Sequence, residues 1–222
     1  MITDVFFDLD HTLWDFDRNS ELAFEKVLAK QGIDVDLDDF LLHYIPLNLK
    51  YWEKYRNDEV SQAELRYRRL KDTFDALDFH VDDSVIDQLS DDYIFHLPEH
   101  NHLLDGAIEI LDYLSAKYRL HIITNGFHEV QHRKIEGAKI GHYFLTITNS
   151  EMAGVKKPNP LIFEHALKLA DVKKENAVMI GDCIDADVRG AISFGMDAIL
   201  LGEYPTEGIK QVSRLIDLKK YL

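Results

Sequence analysis

The 222-residue chain is 46% hydrophobic with a formal net charge of −15: apolar enough to bury a core, and too acidic to suit nucleic acid, whose phosphates it would repel. Its one cysteine, Cys183, excludes an internal disulfide and fits a reducing compartment. The opening MITDVFFDLD lacks the basic and long apolar segments of a leader and no run approaches a membrane span, so a soluble, cytoplasmic protein without a membrane partner is expected.

In chain order, residues 5–7 are the first apolar run, and they stop at Asp8-Leu-Asp10-His-Thr12. Residues two apart on an extended strand end point to the same side, so the two carboxylates can face one small volume. Like charges that close repel unless one is protonated or a cation lies between them. From this motif alone, an exposed strand-to-loop carboxylate pair is an equal reading. Residues 15–100 then carry no convincing strand. Amphipathic windows at 18–30, 38–56, 61–77 and 83–97 predict about four helices, inserted after the first strand with hinges near 15–17 and 98–101.

From about residue 105 the pattern alternates. Helices are expected over 106–117, 129–138, 160–170 and 186–194, and strands over 120–123, 143–147, 177–180 and 198–201. Pro160 suits the first turn of its helix. Continuous apolar strands separated by helices predict an α/β fold, a doubly wound Rossmann-like parallel sheet covered on both faces. Residues 1–14 and 101–222 would form this core, and residues 15–100 a helical second module.

Ligands of such sheets collect at the carboxyl ends of the strands, and four groups of residues fall there. Besides Asp8 and Asp10, Thr124 ends an apolar run before Asn125-Gly126, which can donate a hydroxyl and backbone N–H groups to a phosphate or be plain turn chemistry. Lys156 and Lys157 precede Pro158, and read either as a counter-charge or as solvated surface lysines. Asp182 follows Gly181 at a strand end, while Asp185 and Asp187 lie in the next turn, where capping is the simpler role. A carboxylate-rich set without clustered His or Cys suits Mg²⁺ better than zinc. His100, His102, His128 and His132 have no metal-ligand spacing and read as solvated or core histidines.

Together, DLDHT, ITN, KKP and GDCIDAD, in this order, resemble the four motifs of the haloacid dehalogenase superfamily of phosphotransferases, and the inserted helices match that family's α-helical cap. FFDLDHTLWDFDRNS is similar to the pyrimidine 5′-nucleotidase-like subgroup. The resemblance implies that Asp8 is the nucleophile forming an aspartyl-phosphate and that Asp10 is the general acid/base. It implies Mg²⁺ on the Asp8 carboxylate, the Asp10 backbone carbonyl and Asp182, with the phosphoryl oxygens bound by Thr124, Asn125 and Lys157. Thr12 and Asp187 would be supporting residues, Asp187 by orienting Lys157 or a metal-bound water. An aspartate at position 10 favours a phosphate ester over a carbon–halogen bond, because a halide leaves without a proton. The implied substrate is a pyrimidine nucleoside monophosphate, the alternative a phosphosugar phosphatase or phosphomutase, and the protein a monomer or small homo-oligomer. Trp14, Asp15, Phe16, Tyr44, Asn48, Lys50, Trp52 and Arg56 are candidates for contacting the leaving group, although aromatic residues at helical spacing also read as cap core.

Overall fold

The computed structural model describes residues 1–203 and 206–222. It divides into two compact units, one comprising Met1–Phe16 and Asn101–Leu222, the other Asp17–His100. Among the described residues no helix is long and apolar enough to cross a membrane.

The first unit is built on a sheet of six strands: β1 (Asp4–Phe7), β2 (Arg119–Thr124), β3 (Phe144–Asn149), β4 (Ala177–Gly181), β5 (Asp197–Leu201) and β6 (Lys210–Val212). The order is β3-β2-β1-β4-β5-β6, every pairing parallel. β1 is central, with Phe7 opposite Ile122 on one side and Ile180 on the other. Its four residues are all buried, the condition that makes a parallel strand read as an unbroken apolar run. Side chains alternate across the sheet. Phe6, Ile123, Met179, Ala198 and Leu200 share a core with Ile162, Phe163 and Ala166 of the helix Pro160–Ala170 and with Ala191 beyond it. That helix starts as its sequence predicts, with Asn159 accepting from the Leu161 N–H at 3.0 Å and proline in the first turn.

The structure differs from expectation at three places. The third strand is Phe144–Asn149, which carries the edge up to Asn149 beside Thr124. A sixth strand, Lys210–Val212, was not legible, since KQV has one buried apolar residue and edge strands need little more. The stretch expected as one helix from 186 opens instead as a π-helical turn, Ile184–Arg189, before a short α-helix, Gly190–Phe194. Such π segments recur at functional sites.

The second unit holds four α-helices, the first of which begins at the last residue of the first unit: α1 (Phe16–Lys30), α2 (Leu37–Arg56), α3 (Gln62–Ala76) and α4 (Asp83–His96). Ser61 and Glu64 form a reciprocal capping box at the start of α3. Pro46 lies inside α2 without ending it. Phe24, Phe40, Tyr44, Phe74 and Tyr93 build an aromatic core, Phe24 stacked on Tyr93 at 4.2 Å between ring centroids. Tyr44 and Asn48 are part of this interior. The guanidinium of buried Arg69 donates to Asn48 Oδ1 at 3.0 Å and lies 5.1 Å from the Tyr93 ring centre. Lys50 is exposed, and Trp52 and Arg56 are half-buried.

Candidate active site

Beyond β1 the chain turns within one short loop. The Asp8 N–H continues the strand pairing to Ile180 O at 2.8 Å, and the Leu9 carbonyl accepts from Leu13 and Trp14, each at 2.9 Å. His11 takes a positive φ of 58°, a left-handed residue of a type that tolerates it. The sequence DLDHT therefore leaves the sheet as a tight turn, with Asp8 at the strand end and Asp10 on the turn.

Asp8 meets residues delivered by the loops that follow other strands. Lys157 is 2% exposed. Its ammonium lies 2.6 Å from Asp8 Oδ1 and 2.7 Å from Asp187 Oδ1, and it donates to the Ile123 carbonyl at 2.7 Å. Of the lysine pair, then, Lys157 turns inward. Asn125 fixes it by its backbone, since the Lys157 N–H donates to Asn125 Oδ1 at 2.7 Å and Asn125 Nδ2 donates to Lys157 O at 3.0 Å. The Thr124 hydroxyl accepts from the Gly126 N–H at 3.1 Å, and the Thr12 hydroxyl donates to Asp182 Oδ1 at 3.2 Å.

The π-helical turn brings in Asp187. Its Oδ2 accepts from the Cys183 N–H at 3.0 Å, and a Cβ on Gly181 would fall 2.2 Å from that oxygen, so only glycine permits the approach. Asp185 instead points outward and pairs with Arg189 at 2.8 Å. Asp8, Asp182 and Asp187 each present an oxygen within 4.8 Å of the others. Burial pushes the Asp8 carboxyl above the usual carboxylate range against the pull of Lys157, and Asp187 and Asp182 add to the rise. Burial, then Asp187, do the same to Asp182. Burial would lower Lys157, but Asp187 and Asp8 outweigh it and hold the lysine above its ordinary value.

Three carboxylates facing one ammonium, those of Asp8 and Asp187 buried and that of Asp182 partly so, are short of positive charge. Asp187 Oδ1 shares the one Lys157 ammonium with Asp8 Oδ1, at 2.7 Å and 2.6 Å. A hard divalent cation fits this all-oxygen donor set. The side chain of Asp10 is not in that set. It is held apart, accepting from Lys134 Nζ at 2.5 Å and Gln131 Nε2 at 2.8 Å. Sequence reasoning missed both partners: HEVQHRKIEG reads as a surface helix, and nothing local says that Lys134 is 1% exposed. Trp14 is fully buried, its ring 4.0 Å from the Lys134 ammonium.

A known profile, that of haloacid dehalogenase-like hydrolases, matches residues 4–195. The chain belongs to that family. It is a hydrolase by membership, and its similarity to individual relatives runs along nearly its whole length. It is 30% identical over 217 residues to pyrimidine 5′-nucleotidase PynA of Streptococcus pneumoniae, covering 97% of this chain and 90% of that one. It is 28% identical to pyrimidine 5′-nucleotidase YjjG of Escherichia coli, covering 91% and 87%. The crystal structure of the HAD-hydrolase YfnB of Bacillus subtilis bound to magnesium superposes on this hydrolase with a TM-score of 0.88 at 24% identity, over 99% of this chain and 98% of that one.

Proposed function

We propose that this hydrolase is a Mg²⁺-dependent phosphomonoesterase that works through an aspartyl-phosphate and prefers pyrimidine nucleoside 5′-monophosphates. The observation that carries the reading is the division of labour between two aspartates two residues apart. Asp8 sits with Lys157 in the buried carboxylate group, and Asp10 sits apart with its own pair of donors. This separation supports a reading in which one aspartate attacks and the other moves protons. The preference for pyrimidine nucleotides is supported by likeness to PynA and YjjG.

In this reading an Asp8 oxygen forms a bond to phosphorus while the ester P–O bond breaks, and Asp10 gives its proton to the departing alcohol oxygen. Asp10 then takes a proton from the water that hydrolyses the aspartyl-phosphate, which returns both aspartates to their starting state. Lys157 neutralises Asp8 and the phosphoryl oxygens, and the Thr124 hydroxyl and nearby backbone N–H groups bind those oxygens. Asp8, Asp182 and Asp187, with the Asp10 carbonyl, would hold Mg²⁺, whose charge offsets the repulsion between a carboxylate and a phosphate dianion.

The test is phosphate release from a panel of nucleoside monophosphates and sugar phosphates, with Mg²⁺ and with chelator. Release is expected to be highest in kcat/KM for a pyrimidine nucleotide, to vanish with chelator, to return with added Mg²⁺, and to be abolished by Asp8→Asn. Turnover that survives chelation or Asp8→Asn would overturn the mechanism. Sugar phosphates exceeding every nucleotide would leave a phosphatase and remove the nucleotidase.

A further inference from the structure

Gln131 and Lys134 lie three residues apart on the helix His128–Gly137, so both side chains leave the same face. Both are buried, at 2% and 1% exposure. Each takes one oxygen of the Asp10 carboxylate, Lys134 Oδ1 and Gln131 Oδ2. The lysine is held in turn from its other side, its ammonium 4.0 Å from the Trp14 ring centre and 5.2 Å from that of Phe16. The glutamine is given its path by Gly126, where a Cβ would fall 1.6 Å from Gln131 Nε2. The loop adds a third restraint, since Asp10 and Trp14 are bridged through their backbones.

Such an arrangement is costly if stability is its only purpose, because a buried ion pair gains little over apolar packing. It does one thing that apolar packing cannot: it fixes the plane of a carboxylate while leaving a second lone pair on each oxygen. Asp10 keeps access to the outside, its side chain 22% exposed.

We propose that Lys134 and Gln131 are positioning residues that clamp the Asp10 carboxylate in the orientation needed for proton transfer. This rests on the reading of Asp10 as the group that protonates the leaving alcohol and deprotonates the attacking water. The clamp itself exchanges no proton. The proton passes from Asp10 to the alcohol oxygen as the P–O bond breaks, and is replaced from water in the second step.

A proton donor matters most where the leaving group is poor. Uridine 5′-monophosphate must expel an alkoxide unless it is protonated, whereas p-nitrophenyl phosphate expels a phenolate that is stable without a proton. Lys134→Met should therefore lower kcat for the nucleotide by about 100-fold, the scale of a catalytic group displaced by about 1 Å, with a markedly smaller loss for p-nitrophenyl phosphate and little change in KM. Lys134→Arg, which restores a cation and a donor, should recover most of the loss. Gln131→Leu, which removes no charge, should shift the ratio of the two substrates in the same direction and carries the test if Lys134→Met fails to fold. In an Asp10→Asn background, Lys134→Met should add nothing further. Equal losses on both substrates, or a full additional loss in the Asp10→Asn background, would overturn the clamp while leaving the phosphatase reading intact. Undiminished nucleotide turnover in Asp10→Asn itself would remove the acid/base role, and the clamp with it.

Discussion

Asp187 and Asp185 are two residues apart in one motif, and the π-helical turn gives them opposite fates. Asp187 is buried against Lys157, while Asp185 pairs with Arg189 in solvent. Lys157 is the counter-charge of both Asp8 and Asp187, and removing it would leave buried carboxylates uncompensated, at about 3–5 kcal/mol. An exposed helix pair contributes little by comparison. Lys157→Met should therefore lower the urea midpoint substantially at pH 7, and Asp185→Asn hardly move it. Equal effects would mean that the buried carboxyls hold protons rather than charge. Asp8 and Asp182 could be picked out of the sequence because each follows an apolar run, and parallel strands bring such ends together; Lys157 could be picked out because it directly precedes Pro158, as in the motif KKP. Gln131, Lys134 and the inward turn of Asp187 could not, because what buries them lies more than a hundred residues away in the chain or in a turn whose helical register is not standard.

At the scale of elements, the strands legible in the sequence are those buried on both faces, β1, β2, β4 and β5, since burial itself writes the apolar run. The extent of β3 was less clear, its pattern mixing exposed and buried positions. The buried polar group between β1 and β2 is a second case in which pairing decides the environment. Asp4 and Arg119 are register partners, and Asp4 Oδ1 lies 2.9 Å both from Arg119 Nε and from His121 Nε2, with His121 Nδ1 2.8 Å from the Thr146 hydroxyl. Burial holds His121 below its ordinary value of 6.5, although Asp4 pulls the other way. A base whose folded value is depressed takes up its proton more readily when unfolded. Its contribution to stability is thus fully present above pH 6.5 and is lost as the pH falls below that value. Asp8 and Asp182, raised above the carboxylate range, gain stability as the pH falls and so work in the opposite direction. The His121 contribution is therefore read as a difference: the urea midpoint of the parent protein relative to His121→Gln should decline between pH 7.5 and 5.5. A difference that does not change with pH would show that His121 makes no such contribution.

For the molecule as a whole, the net charge of −15 describes a surface that repels anions, so any phosphate ester depends on positive charge concentrated at the strand ends rather than on the average field. Lys157 and the carboxylates suited to a cation, Asp8, Asp182 and Asp187, all belong to the sheet-containing unit. The same unit also closes its own gap. The Asp15 N–H donates to His102 O at 3.0 Å and the Leu104 N–H to Leu13 O at 2.9 Å, which ties the two chain segments flanking the helical insertion side by side. Joining two points already adjacent in space by a short linker carries a small closure entropy, and the sheet retains its own apolar core. Replacing residues 17–100 with a short Gly-Ser linker should therefore give a protein that unfolds cooperatively in urea. A cation that binds the native state alone at 100 times its Kd adds about 2.7 kcal/mol, so Mg²⁺ should raise the Tm of the shortened protein, and Asp8→Asn in the same background should abolish that rise. Loss of the cooperative transition would show that the helices are needed to fold the sheet. A cooperative transition indifferent to Mg²⁺ would show that the three carboxylates do not form a metal site on their own.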